Sequence, residues 1–285
     1  MKIIRTRAEM RALTRDWRAQ GDTIAVVPTM GALHAGHLSL VEAARTRADR
    51  VVVTLFVNPK QFNNPDDLTK YPRTEESDAA KLAPLEVDIL YAPGVEEMYP
   101  DGFATTVSVQ GISDNLCGAA RPGHFDGVAT IVTKLLLQTD ADIACFGEKD
   151  FQQLQVVRRM ARDLDIKTEI LGCPTVREED GLALSSRNVR LGKAARHIAP
   201  VLPQVLREAA DRLRQGDPVR SVLDDAERRL ADAGIGPVDY LEFRKDHDLS
   251  LIEDSATSGR LFVAAWLDGV RLIANIEVRP AVSSR

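Results

Sequence analysis

Short apolar runs alternate with stretches of helical spacing through the first two-thirds of the chain. Ile24–Val27, Val51–Val57, Val87–Tyr91 and Ile143–Phe146 are rich in apolar residues and read as buried strands, and Thr168–Leu171 is a further strand candidate. Between them, Leu38–Ala48, Glu75–Leu82, Val128–Leu137 and Phe151–Leu164 carry helical apolar spacing, the last with Asp150 as candidate N-cap. Such alternation predicts parallel strands joined by right-handed crossovers. The expected fold class is α/β: a Rossmann-like, doubly wound parallel sheet with ligands at the carboxyl ends of its strands.

Past residue 175 the pattern changes. Gly192–Gly216, interrupted by Pro200 and Pro203, and Val219–Ala233 read as helices. Phe262–Leu267 and Arg271–Val278 read as strands of a hairpin turned by Asp268-Gly269. Two domains are expected: a Rossmann-like ligand-binding domain over 1–175 and a smaller C-terminal α+β domain over 176–285 acting as a lid. Asn58–Arg73, rich in Asn, Asp and Pro, reads as a long loop, either a functional lid or a mobile connection. Residues after Pro280 read as a loose tail.

Composition narrows the class. With 285 residues, 44% of them hydrophobic, the chain can bury a full core. Its net charge of −5 comes from interspersed acids and bases, so no basic face announces nucleic acid or a bilayer. The opening Met1-Lys2-Ile3-Ile4-Arg5 is charged too early for a signal peptide, and no apolar run reaches the ~18 residues of a membrane span. A cytoplasmic location is expected. Cys117, Cys145 and Cys173 lie far apart without zinc spacing, which fits reduced thiols.

Five clusters carry candidate chemistry. Pro28-Thr29-Met30-Gly31-Ala32-Leu33-His34-Ala35-Gly36-His37 sets two histidines where a strand gives way to a helix. Helix starts offer unpaired N–H groups and a positive dipole end to phosphate, and imidazoles add directional donors. In Phe56-Val57-Asn58-Pro59-Lys60-Gln61-Phe62, Asn58 and Gln61 suit the hydroxyls or carboxylate of a small polar substrate. Arg121-Pro122-Gly123-His124, before a helix, fits anion recognition or a solvated turn. Gly147-Glu148-Lys149-Asp150 brings a lysine suited to phosphate, and Gln153 faces the same crevice one turn later. In Leu184-Ser185-Ser186-Arg187, two hydroxyls and an arginine suit a mobile phosphate clamp.

Each cluster alone also fits a solvated turn or helix start. Together they are directed at phosphate and lack a hydrolytic nucleophile. The chain has no G-x-S-x-G elbow, Walker loop or G-x-G-x-x-G, which argues against serine hydrolases, P-loop kinases and dinucleotide oxidoreductases. Adenylyl transfer by positioning and charge stabilisation remains.

PTMGALHAGH at 28–37, FVNPKQF at 56–62, YPRT at 71–74, RPGHFDGV at 121–128, FGEKDFQQL at 146–154 and GLALSSRN at 181–188 resemble, in order, the motifs of the pantothenate synthetase (pantoate–β-alanine ligase) family. That family belongs to the HxGH nucleotidyltransferases. The resemblance implies that ATP and (R)-pantoate form pantoyl adenylate and pyrophosphate, after which β-alanine attacks to give pantothenate and AMP. Mg2+ accompanies the ATP, and a homodimer is implied.

Carried onto this chain, His34 and His37 would contact the triphosphate and stabilise the adenylation transition state, with His37 as proton donor and Lys149 and Arg187 as further catalytic cations. Met30, Gly31, Ala32, Leu33, His34, Ala35, Gly36 and His37 form the nucleotide-facing strip. Gly147, Glu148, Lys149 and Asp150 would line the ATP site, Val176 would touch adenine, and Leu184, Ser185, Ser186 and Arg187 would clamp phosphate. Gln61 and Gln153 would hold pantoate, Gln61 also meeting β-alanine, with Asn58, Arg121 and His124 as further contacts. Asp78 is the carboxylate that would place magnesium through water, but Ser77 stands where some relatives carry a second one, so no metal ligands are assigned. The alternatives are a related HxGH nucleotidyltransferase resembling pantetheine-phosphate adenylyltransferase, and a non-catalytic nucleotide-binding regulator.

Overall fold

The computed structural model describes residues 1–280, and the tail expected after Pro280 lies outside them. The chain forms two units, the first made of Met1–Glu148 and Gln152–Pro174, the second of Lys149–Phe151 and the chain from Thr175 onward.

To Pro174 the elements are β1 (Lys2–Ile4), α1 (Arg7–Gln20), β2 (Ile24–Thr29), α2 (Ala35–Arg45), β3 (Arg50–Leu55), α3 (Pro65–Lys70), α4 (Glu75–Leu82), β4 (Ile89–Tyr91), α5 (Val95–Met98), α6 (Cys117–Ala120), α7 (His124–Thr139), β5 (Ile143–Gly147), α8 (Phe151–Asp163) and β6 (Glu169–Cys173). All six strands are parallel, in the order β1-β4-β3-β2-β5-β6. The chain winds from β2 through β3 to β4 in one direction and from β5 to β6 in the other. The order therefore reverses between β2 and β5, and that switch point is where an open α/β sheet leaves a crevice beyond its strand ends.

The sheet is covered on both faces, which is why its strands read as near-continuous apolar runs. Ala25, Val27, Val51 and Val53 pack with Leu40, Val41 and Ala44 of α2 and Leu82 of α4. Val26 and Val52, on the opposite pleat, are equally buried. On that pleat Tyr91 donates to Gln138 of α7 at 2.8 Å. All three cysteines are buried free thiols.

Two expectations change here. Helix α2 begins at Ala35, earlier than Leu38, because His34 caps it. The stretch Asn58–Arg73 is not a plain loop: it holds a single 3-10 turn, Pro59–Gln61, and α3. In each, an asparagine side chain accepts an N–H of the first turn and proline follows it at the start, so Asn-Pro marks a helix start.

The second unit contains α9 (Lys193–Ile198), α10 (Val201–Arg214), α11 (Val219–Asp232) and the antiparallel sheet β7 (Val238–Arg244), β8 (Gly259–Leu267), β9 (Val270–Val278). Leu261, Val263, Ala265, Leu272 and Ala274 share a core with Leu202, Val205, Leu206 and Ala209 of α10. The single interrupted helix expected over Gly192–Gly216 is two helices, broken at Ala199-Pro200. Pro203 continues the second because it sits in the first turn, where its missing N–H has no helical partner to lose.

Candidate active site

The two histidines cap α2 reciprocally. His34 Nδ1 accepts the Gly36 N–H at 3.2 Å, and His37 Nδ1 accepts the His34 N–H at 3.4 Å. Their rings lie 4.1 Å apart between centroids. A neutral ring that accepts at Nδ1 carries its proton on Nε2. The hydrogen-bond network thus assigns both imidazoles the same tautomer, with an Nε2–H donor each, at the end of β2 beside the switch point.

The turn before them is held from below by Asp78. This carboxylate is fully buried on α4 and accepts the N–H groups of Ala32 and Leu33, both at 2.8 Å, and the Thr74 hydroxyl at 3.0 Å. Gly31 has φ +84°, and a Cβ there would come within 3.1 Å of Asp78 Oδ2, so glycine serves both the turn and the close approach. Asp78 is therefore an anchor of the histidine-bearing turn.

Gln61, Asn58, Arg121 and His124 come together in one hydrogen-bonded group. Asn58 is 1% exposed; its amide donates to Gln61 Oε1 and to the Gly127 carbonyl, each at 3.0 Å. Its oxygen accepts from Lys60 N–H at 3.3 Å and from Tyr99 Oη at 2.7 Å. Burial pushes the Tyr99 phenol up, which keeps it a donor. With both amide hydrogens and two acceptor positions in use, the Asn58 amide is held in place and fixes the orientation of Gln61 Oε1.

His124 Nδ1 lies 2.8 Å from the Gln61 carbonyl oxygen, which can only accept, so Nδ1 is the donor. Arg121 donates to the same carbonyl at 3.1 Å and stands 3.1 Å from His124 Nε2. Side chain and backbone of Gln61 are thus fixed separately, and its Nε2 points to Met30 Sδ at 3.2 Å.

β5 ends at Gly147, beside β2 in the sheet. Gln152 and Gln153, adjacent on α8, have different surroundings. Gln152 is buried, accepting the Cys117 N–H at 2.9 Å and donating to the Asn115 carbonyl at 2.8 Å. Gln153 is half-buried, and its side-chain amide makes no hydrogen bond among the described residues.

In the second unit, Lys149 is partly buried, with Nζ 3.6 Å from Asp150 Oδ2. Val176 and Leu184 flank a tight two-stranded turn: Leu184 N–H donates to Val176 O at 3.0 Å and Glu178 N–H to Leu182 O at 2.8 Å. Gly181 turns it at φ +87°. Arg196 clamps the turn through Glu178 and Asp180, both at 2.6 Å. Ser185, Ser186 and Arg187 leave it half-buried, Ser185 Oγ accepting the Arg187 N–H at 3.2 Å. Among the described residues no group of three or more His, Cys, Asp or Glu could hold a metal ion. No described helix is long and apolar enough to cross a membrane.

A doubly wound sheet with imidazole donors and a rigidly held glutamine at its switch point is the frame of a nucleotide-using α/β enzyme. The model of the Pantoate-beta-alanine ligase family matches residues 2–277. A pantothenate synthetase of Chelativorans sp. (strain BNC1) is 63% identical over 276 residues, 97% of each chain, and that of Roseobacter denitrificans is 60% identical over the same span. Among solved structures, a pantothenate synthetase from Thermus thermophilus superposes with a TM-score of 0.93 at 48% identity, covering 98% of this chain and 100% of that one. The pantoate-beta-alanine ligase of Francisella tularensis, complexed with beta-gamma ATP and beta-alanine, gives 0.83 at 35% identity, with 97% of each chain covered. The chain belongs to the pantoate–β-alanine ligase family, and is a ligase.

Proposed function

We propose that this enzyme joins (R)-pantoate to β-alanine through a pantoyl-adenylate intermediate. The pantoate carboxylate attacks the α-phosphorus of ATP and pyrophosphate leaves; the β-alanine amine then attacks the acyl carbon and AMP leaves. The first step brings two anions together, so donors must be fixed before reaction. His34 and His37 supply two, and Lys149 and the Ser185–Arg187 segment supply further charge and hydroxyls to phosphate. Gln61 and Gln153 hold pantoate. Mg2+ enters with ATP as part of the substrate.

The observation that carries this reading is the paired histidine tautomer at the switch point: two Nε2–H donors held in place by the helix they cap. The same reading includes a cytoplasmic homodimer, with a domain division at 175/176 and the C-terminal part as lid. Incubation with ATP and pantoate alone, following pyrophosphate, AMP and product mass, tests the chemistry. Pyrophosphate release without β-alanine, then AMP and pantothenate on its addition, is expected. A stable nucleotide-linked product would indicate the related nucleotidyltransferase, and ATP binding without pyrophosphate release a regulator.

A further inference from the structure

Two polar residues on the C-terminal hairpin hold the backbone of Lys149. Asn275 on β9 and Arg260 on β8 are only 7% and 8% exposed. Asn275 is paired in register with Phe262, so Arg260, Phe262 and Asn275 share one pleat, while Leu261, Val263 and Ala274 on the other enter the α10 core. Asn275 Nδ2 donates to the Lys149 carbonyl at 2.9 Å. Arg260 Nη1 donates to Asn275 Oδ1 at 2.7 Å.

A guanidinium has donors only, so it fixes which way the amide faces: oxygen to Arg260, NH2 to Lys149. Arg260 is itself held, its Nε 3.3 Å from Asp246 Oδ1 and its guanidinium 3.8 Å over the Phe151 ring. Phe151 also packs on Phe262, 5.9 Å between centroids. Both ends of the tripeptide Lys149–Phe151 are therefore gripped by the hairpin. An apolar pair would cover this sheet face without the desolvation cost of a guanidinium and an amide. What the polar pair adds is direction.

We infer that Arg260 and Asn275 are positioning residues for Lys149, fixing the backbone from which its ammonium reaches ATP phosphate. This rests on the reading of Lys149 as a phosphate contact, and the test separates the two. Asn275→Asp keeps the acceptor for Arg260 but sets an oxygen against the Lys149 carbonyl. Pyrophosphate release at saturating pantoate is expected to show kcat/KM for ATP at least tenfold lower, with KM for pantoate changed less than twofold. In a Lys149→Ala background the same substitution should add less than a twofold effect, because the group it positions is gone.

Arg260→Lys, which keeps charge but not the planar fork, should give a smaller loss of the same kind, and it carries the test if Asn275→Asp does not fold. Wild-type ATP kinetics in the folded variants, or a full tenfold loss on top of Lys149→Ala, would overturn the inference. Wild-type kinetics in Lys149→Ala itself would overturn the phosphate role of that lysine, and the inference with it.

Discussion

Gly127 of α7 and Lys60 meet backbone to backbone: a Cβ on Gly127 would lie 2.3 Å from the Lys60 carbonyl oxygen and 2.8 Å from the Gln61 nitrogen. The turn that carries Gln61 can sit against α7 only because no side chain intervenes. Gly127→Ala gains helix propensity of about 1 kcal/mol, but overpacking here costs roughly 1–3 kcal/mol and displaces Gln61. The expected result is a raised KM for pantoate with a lowered or unchanged melting temperature, measured by steady-state kinetics and thermal unfolding.

The double task of His34 can be separated. Asn is as good an N-cap as any residue, but it lacks the Nε2–H that the proposed chemistry uses. His34→Asn should retain unfolding free energy within ~0.5 kcal/mol while adenylate formation falls by about 10²–10³, the usual effect of removing a preorganised donor. His37→Ala should show a rate loss of the same order in a single-turnover pyrophosphate assay.

Asp78→Ala leaves the buried N–H of Leu33 and the part-buried N–H of Ala32 without their acceptor. At about 1–3 kcal/mol for each unsatisfied group, urea unfolding should show a loss of roughly 2–6 kcal/mol. Asp78→Asn, which keeps one acceptor oxygen, should lose less.

Arg18, in the last turn of α1, donates to the Asp142 carboxylate at 2.6 Å, and Ile24 N–H donates to the same carboxylate at 2.8 Å. Burial pushes the Asp142 carboxyl up, but the Arg18 and Ile24 hydrogen bonds and the Arg18 charge outweigh it and leave it below its ordinary 3.8. Because the folded state binds this proton less tightly, the stabilisation is complete above 3.8 and disappears as pH falls through the lower folded value. Asp142→Asn should cost about 1 kcal/mol at neutral pH, a modest value for a partly exposed pair. That difference should shrink in urea titrations taken progressively below pH ~4.

An acyl adenylate must be kept from water. Hydrogen exchange should therefore show added protection of Asn58–Arg73 and Ser185–Arg187 when ATP and pantoate are both present. Unchanged exchange in both segments would rule out this shielding.

The central strands and the Asp268-Gly269 hairpin were legible because burial on both faces and turn chemistry each leave a local trace. β1 spans only three residues, too few for a period to register. The first helix is charged along much of its length, yet Thr6 and Glu9 form a capping box that its sequence spacing advertises. At the candidate site, the motifs name residues that the fold gathers around strand ends, but the sequence does not show which of these side chains are already hydrogen-bonded within the fold. Asn58 and Asp78 carry side chains suited to a ligand, and only the fold shows the internal partners they hold. Gln152 and Gln153 are neighbours in sequence, and only the fold distinguishes the anchored one from the open one. Arg260 and Asn275 were invisible for another reason: Asn275 and the carbonyl it holds are 126 positions apart.

That separation has a consequence for how activity is acquired during synthesis. A ribosome completes His34, His37, Gln61 and Lys149 long before it delivers β9, so a nascent chain can carry every residue of the early motifs while the support for Lys149 does not yet exist. Emergence of β9 supplies that support, so the proposed phosphate contact of Lys149 waits on a residue made 126 positions after it.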